Sequence, residues 1–229
     1  MKSGFFVGIA AVVACLFSAS AAAAACDRYP TVAEEYAAAD YVFVAQVTSG
    51  RMVRTPDDPE GFDAVEYTVQ SLKTFKGEPP EELLLYSENS SGRFPMDVTG
   101  WYLVFVGPAY GFGFTEPYRI ERAISNCGHS LALNTLPLAL QNFPQDLSLD
   151  QILAVDPSVT DLVERADGCI HFAGEAPYDE DRRADIDEAL TELRCDALTR
   201  DAAFERTRFE GAPEAQARLD TALDGWSAP

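Results

Sequence analysis

The residues able to do chemistry in this chain are few and closely spaced. Its two histidines each follow a cysteine by two positions, in Cys127-Gly128-His129 and Cys169-Ile170-His171. Thiolates and imidazoles are the ligands zinc takes, so Cys127, His129, Cys169 and His171 are chemically adequate for a Cys₂His₂ set. Their spacing matches no zinc finger, and in an oxidising compartment the same cysteines pair with other cysteines instead. No metal and no cofactor is expected. A Ser–His–Asp reading of "GHS" (128–130) fails for want of a nucleophile elbow and an oxyanion hole. The acidic stretch "PDDPEGFD" (56–63) lacks the spacing of a calcium loop and reads as a solvated hairpin loop, with a weak calcium site as the competing reading. Catalysis is therefore not expected.

The stretch "AAAAACDRYP" (21–30) decides how the cysteines are used. Lys2, an apolar run over 5–17 and small residues up to Ala25 have the order of an export signal. Residues 1–25 are expected to be removed, which makes Cys26 the first residue of a secreted or periplasmic protein. "VVAC" (12–15) loosely resembles a lipobox, but processing at Cys15 would leave the alanine tract on the mature chain. The leader is too short and too rich in alanine to read as a membrane anchor.

Beyond the leader four cysteines remain, Cys26, Cys127, Cys169 and Cys195, and four cysteines allow three pairings. Cys26–Cys127 and Cys169–Cys195 are expected, because each pair then falls within one compositional half. The chain has 17 Lys+Arg against 37 Asp+Glu, a formal charge of −20 that becomes −21 once Lys2 leaves with the leader. Clustered cations are what neutralise phosphates, so nucleic acid and anionic membranes are poor partners for this chain.

The two halves meet near residue 145, giving segments 26–145 and 146–229. In the first, Thr31 and Glu34 have capping-box spacing ahead of a short helix. Strands are predicted over 41–47, 63–76, 82–88, 101–107 and 114–124. Val65, Tyr67 and Val69 place apolar residues at odd positions, whereas Leu72 is even, so a bulge is predicted near Gln70–Ser71. Five strands, one of them strongly bent, predict a five-stranded barrel of the OB type, with a small sandwich as the competitor. In the second half a helix with Ser158 as N-cap is expected to stop at Gly168. A longer helix over about 179–209 either packs on both faces or breaks near Arg194, and two-sided packing is expected. The acids in "YDEDRRADIDE" (178–188) suit the start of that helix. A last helix follows Gly211, over about 213–223. Phe112 and Phe114 suggest an exposed hairpin tip or ordinary packing.

The first half resembles the netrin-like family, specifically the N-terminal domain of tissue inhibitors of metalloproteinases and their bacterial relatives. The likeness rests on "ADYVFVAQV" (39–47), "YTVQSLKTFKG" (67–77), "GWYLVFV" (100–106) and "ISNCGHSLAL" (124–133), and covers residues 26–140. It implies an OB barrel and an activity in which the terminal cysteine's α-amine and carbonyl meet a protease's catalytic zinc while the next side chain enters the adjacent pocket. Cys26 and Asp27 take those positions here. The family's C-x-C reads as Cys26-Asp27-Arg28, and its cysteine before "WYLVFV" has no counterpart in "SENSSGRFP" (87–95). The expected function is recognition of another protein, with a metalloprotease as the partner the resemblance names. The other reading is a structural or envelope-associated module that docks a partner through its helical half.

Overall fold

Val42, Phe43, Val44 and Ala45 follow one another without a polar break, and in the computed structural model none of the four is exposed to solvent. A strand covered on one face alternates apolar and polar residues. An unbroken apolar run belongs to a strand covered on both faces. The structure describes residues 26, 28–55, 58–107, 122–133 and 147–226.

This strand, β1 (Tyr41–Thr55), is the middle of a five-stranded antiparallel sheet. With β2 (Asp58–Lys76), β3 (Glu82–Glu88), β4 (Trp101–Val106) and β5 (Leu131–Ala132), the order is β3-β2-β1-β4-β5. Phe43, Ala45 and Val47 face one core with Tyr67, Val69, Leu83, Leu85, Tyr102 and Val104. Val42 and Val44 face the other core with Leu103, Phe105 and the helical half, including Ile152, Leu198, Phe209 and Leu219. One hydrophobic cluster thus runs from the sheet into the helices across the compositional boundary.

The bulge prediction holds with a shift in position. Ala45 pairs with Ser71 but Val44 with Lys73, and Phe43 pairs with Thr74 but Val42 with Lys76, so Leu72 and Phe75 are the inserted residues. The consequence is that Val69 packs in one core and Phe75 against the other, although both are odd-numbered. Leu72 does not take over the core face; it is 40% exposed. The expected acidic loop is shorter than "PDDPEGFD", because residues 58–63 already belong to β2.

The predicted closed barrel is not what the ladder shows: the named strands form an open sheet. Of the strand expected over 114–124, only residues 122–124 are described. There Ala123 makes isolated bridges to Tyr86 of β3 and to Gly107, which follows β4. Phe112 and Phe114 lie outside the described residues.

The helical half contains α2 (Leu149–Leu153), α3 (Pro157–Gly174), α4 (Glu180–Glu192), α5 (Leu198–Arg208) and α6 (Pro213–Ala222). Three expectations are corrected. The N-cap of α3 is Asp156, whose Oδ1 accepts the Ser158 N–H at 2.8 Å, with Pro157 in the first turn where its missing N–H costs nothing. Gly168 does not end α3, which runs on to Gly174. A Cβ at 168 would lie 2.9 Å from Leu193 Cδ1, so glycine makes room for the neighbouring helix. The expected 179–209 helix is two helices, interrupted at Arg194, whose φ of 52° is left-handed. Asp179 caps α4, with Glu180 and Asp181 in its first turn as the charge pattern implied.

Both disulfides pair as expected, Cys26–Cys127 and Cys169–Cys195, with Cα separations of 5.8 and 5.6 Å. They are compatible with an extracytoplasmic location. No helix among the described residues is long and apolar enough to cross a membrane.

Candidate functional site

The N-terminal segment is held in place by α1 (Val32–Ala38), a helix of under two turns that bonds to three other parts of the fold, the helical half, the end of β2 and the turn at His129. Its capping box forms as Thr31 and Glu34 dictate. The Ala33 N–H, an orphan donor of the first turn, is satisfied by the Glu210 carbonyl at 2.8 Å, which docks the helical half on the start of α1. At the other end Lys76 Nζ donates to the Tyr36 and Ala37 carbonyls, and the Tyr36 hydroxyl donates to the Phe75 carbonyl at 3.0 Å. That explains Lys76-Gly77. The lysine caps the helix C-terminus, and Gly77, at φ 73°, lets the chain pass where a Cβ would stand 2.3 Å from the Asp40 carbonyl.

From the middle of α1, Glu35 reaches His129. One carboxylate oxygen accepts the His129 backbone N–H at 2.7 Å and meets ring Nδ1 at 2.8 Å. The His129 side chain has no exposed surface and its ring contacts Phe105 and Phe209. Its Nε2 is buried with no hydrogen-bond partner among the described residues. Ser130 is engaged too, its hydroxyl accepting the Phe105 N–H at 3.0 Å.

The zinc-competent quartet is divided. Cys127 and Cys169 are in different disulfides, His129 is turned to Glu35, and His171 is a mostly exposed side chain 3.9 Å from Glu175. No group of three or more potential metal ligands occurs among the described residues.

The arrangement that does emerge is a ridge built from three chain segments. Cys26 is bonded to Cys127, and the 125–128 turn is laced to the loop between β3 and β4. Asn126 N–H donates to the Gly92 carbonyl at 3.0 Å, Ser125 Oγ to the same carbonyl at 3.3 Å, and Asn126 Nδ2 to the Ser91 carbonyl at 3.3 Å. Arg28, Tyr29, Ser90, Ser91, Arg93 and Asn126 are exposed along it. Asp27 lies outside the described residues. Tyr29 stacks edge-on with Phe204 at 5.6 Å, with the Arg208 guanidinium over its ring, tying the ridge to α5.

Sequence reasoning missed the Glu35–His129 pair, whose members are 94 residues apart. Gly128 is its only local trace: a Cβ there would lie 2.0 Å from Glu35 Oε1. Gly128→Ala is expected to push Glu35 off His129 and strand its buried polar groups, a loss of about 2–4 kcal/mol. In combination with Glu35→Gln the two losses should fall well short of additive. Denaturant titration of the three variants checks this; additive losses would show that Gly128 and Glu35 are not coupled.

No known protein family and no curated protein matches the chain.

Proposed function

We propose that the protein is an extracytoplasmic, non-catalytic recognition module that meets a partner protein through the N-terminal ridge, with a metalloprotease as the partner. The observation carrying this reading is the bond between Cys26 and Cys127, beside the 90–93 loop. It holds the start of the exported chain against a rigid sheet instead of leaving it loose. A terminus ordered in advance loses less entropy on binding than a free one. An α-amine is a weaker base than a lysine amine and so gives up its proton at modest cost to serve as a metal ligand.

The OB-type, netrin-like reading of the sheet belongs to the same proposal. It is supported by the bulges that turn β2 from one core to the other and by Ala123, which bridges Tyr86 in parallel and Gly107 in antiparallel fashion. A further strand lying between β3 and the end of β4 would make those two contacts.

The test is inhibition of a panel of zinc endopeptidases by the exported protein, before and after acetylation of its α-amine. Inhibition of at least one enzyme, abolished by acetylation, is expected. Mass spectrometry of the same material should place Cys26 first. An extra residue ahead of it, or inhibition indifferent to acetylation, removes the zinc-contacting role; a panel left wholly uninhibited removes the metalloprotease.

A further inference from the structure

A second feature lies away from the ridge's disulfide, between α3 and α5. Ser158, Asp161, Leu162 and Arg165 recur at helical spacing on α3, and Asp201, Phe204 and Glu205 do so on α5. Together with Arg194 and Arg200 they line a cleft of about 570 Å³, a volume within the range of small-ligand sites. In a chain with more than twice as many acids as bases, three arginines converge here on one carboxylate. Asp201 accepts from Arg165 at 2.9 Å and from Arg200 at 3.0 and 3.1 Å, and Arg194 stands 3.7 Å away.

The donors outnumber what Asp201 can accept. A guanidinium carries five N–H groups. Arg165 Nε is buried with no hydrogen-bond partner among the described residues, while the Arg194 and Arg200 side chains are 62% and 74% exposed. The backbone is also strained to bring Arg194 there, since a left-handed φ at a residue with a side chain is costly.

The balance of charge selects the ligand. Glu205 is paired with Arg208 at 3.0 Å, and burial pushes its carboxyl up. Asp201 and Asp161 then leave a surplus of one positive charge among the three arginines. That suits a monoanion and disfavours a phosphate dianion facing two aspartates. Leu162 and the half-exposed Phe204 ring, which continues into Tyr29, supply apolar surface next to the charge. We propose that this cleft binds an organic monocarboxylate bearing an apolar or aromatic group, a chemistry shared by free small acids and by the C-terminal residue of a polypeptide.

The test uses the full exported chain at low ionic strength, titrated calorimetrically with N-acetylphenylalanine, its uncharged amide, an acetylated pentapeptide ending in phenylalanine, and inorganic phosphate. Saturable binding of the acid and not of the amide is expected. Arg194→Gln and Arg200→Gln, both at exposed side chains, should each weaken it about tenfold or more. Tighter binding of the pentapeptide would assign the site to chain termini, and equal binding to small acids. Acid and amide binding alike, neither binding, phosphate binding more tightly than the acid, or an undiminished Arg194→Gln/Arg200→Gln double variant would each overturn the proposal.

Discussion

Replacing Cys26 and Cys127 together by serine is expected to cost about 4–5 kcal/mol of folding stability. The bond closes a loop with a sequence separation of 101 residues, so its loss releases a large share of the chain's entropy in the unfolded state. The Cys169–Cys195 bond spans 26 residues, and its removal is expected to cost about 3.5 kcal/mol by the same reasoning. Denaturant melts of the two double variants measure both. In each the midpoint should fall while the slope rises somewhat, because the unfolded chain is less compact without its cross-link and exposes more surface. A loss below about 1 kcal/mol for the Cys26/Cys127 variant would mean that α1 already holds the terminus without help. Its bonds to Glu210, Phe75 and His129 make that a real alternative. The Cys26/Cys127 variant also separates scaffold from function: if the ridge reading is right, binding falls at temperatures where the sheet is still folded, because the bond orders residues 26–30 directly. Free thiols at both positions in protein from its native compartment would remove the premise.

What could be read from the sequence, and what could not, divides by the range of the interaction. Thr31 and Glu34 are three residues apart and form their capping box as the pattern says. The uninterrupted 42–45 run announces a strand covered on both sides, and the disulfides follow from composition. Gly168 and Arg194 mislead for one shared reason. Each conformation is set by a partner on another element: Leu193 packs where a Gly168 side chain would stand, and Arg194 turns left-handed with its side chain toward Asp201. Local propensity makes glycine a stop and arginine a helix former, and the tertiary contacts reverse both. Ser158 has the residue type of an N-cap, yet Asp156 before the proline caps α3, leaving Pro157 at the position that needs no N–H. The candidate site was legible at its covalent anchor, Cys26–Cys127. Its second tie, Glu35 to His129, has no periodicity or spacing to reveal it, and the convergence of Arg165, Arg194 and Arg200 needs the break at Arg194 to exist.

Phe209→Ala is expected to be among the most damaging single substitutions, at about 3–5 kcal/mol. Phe209 is fully buried at the end of α5, where its ring meets His129 edge-on at 5.3 Å and belongs to the cluster that joins Val42, Val44 and Phe105 to the helices. Truncation would open a cavity at the seam between sheet and helical half, beside a histidine whose Nε2 has no partner among the described residues. At about 2–4 °C per kcal/mol for a chain of this size, the melting temperature should fall by roughly 6–20 °C. The position of the two tryptophans makes the experiment more informative than a single melt. Trp101 begins β4 and Trp226 follows α6, both packed against that same cluster. Trp101→Phe and Trp226→Phe therefore give one fluorescent reporter in each half. Because the core is continuous, both reporters should lose their signal in one coincident transition, in wild type and in Phe209→Ala alike. If instead the Trp226 signal moves down while Trp101 melts where it did before, the sheet stands without the helices. The seam at Phe209 would then join two independent units, and the helical half would not be what keeps the N-terminal ridge rigid.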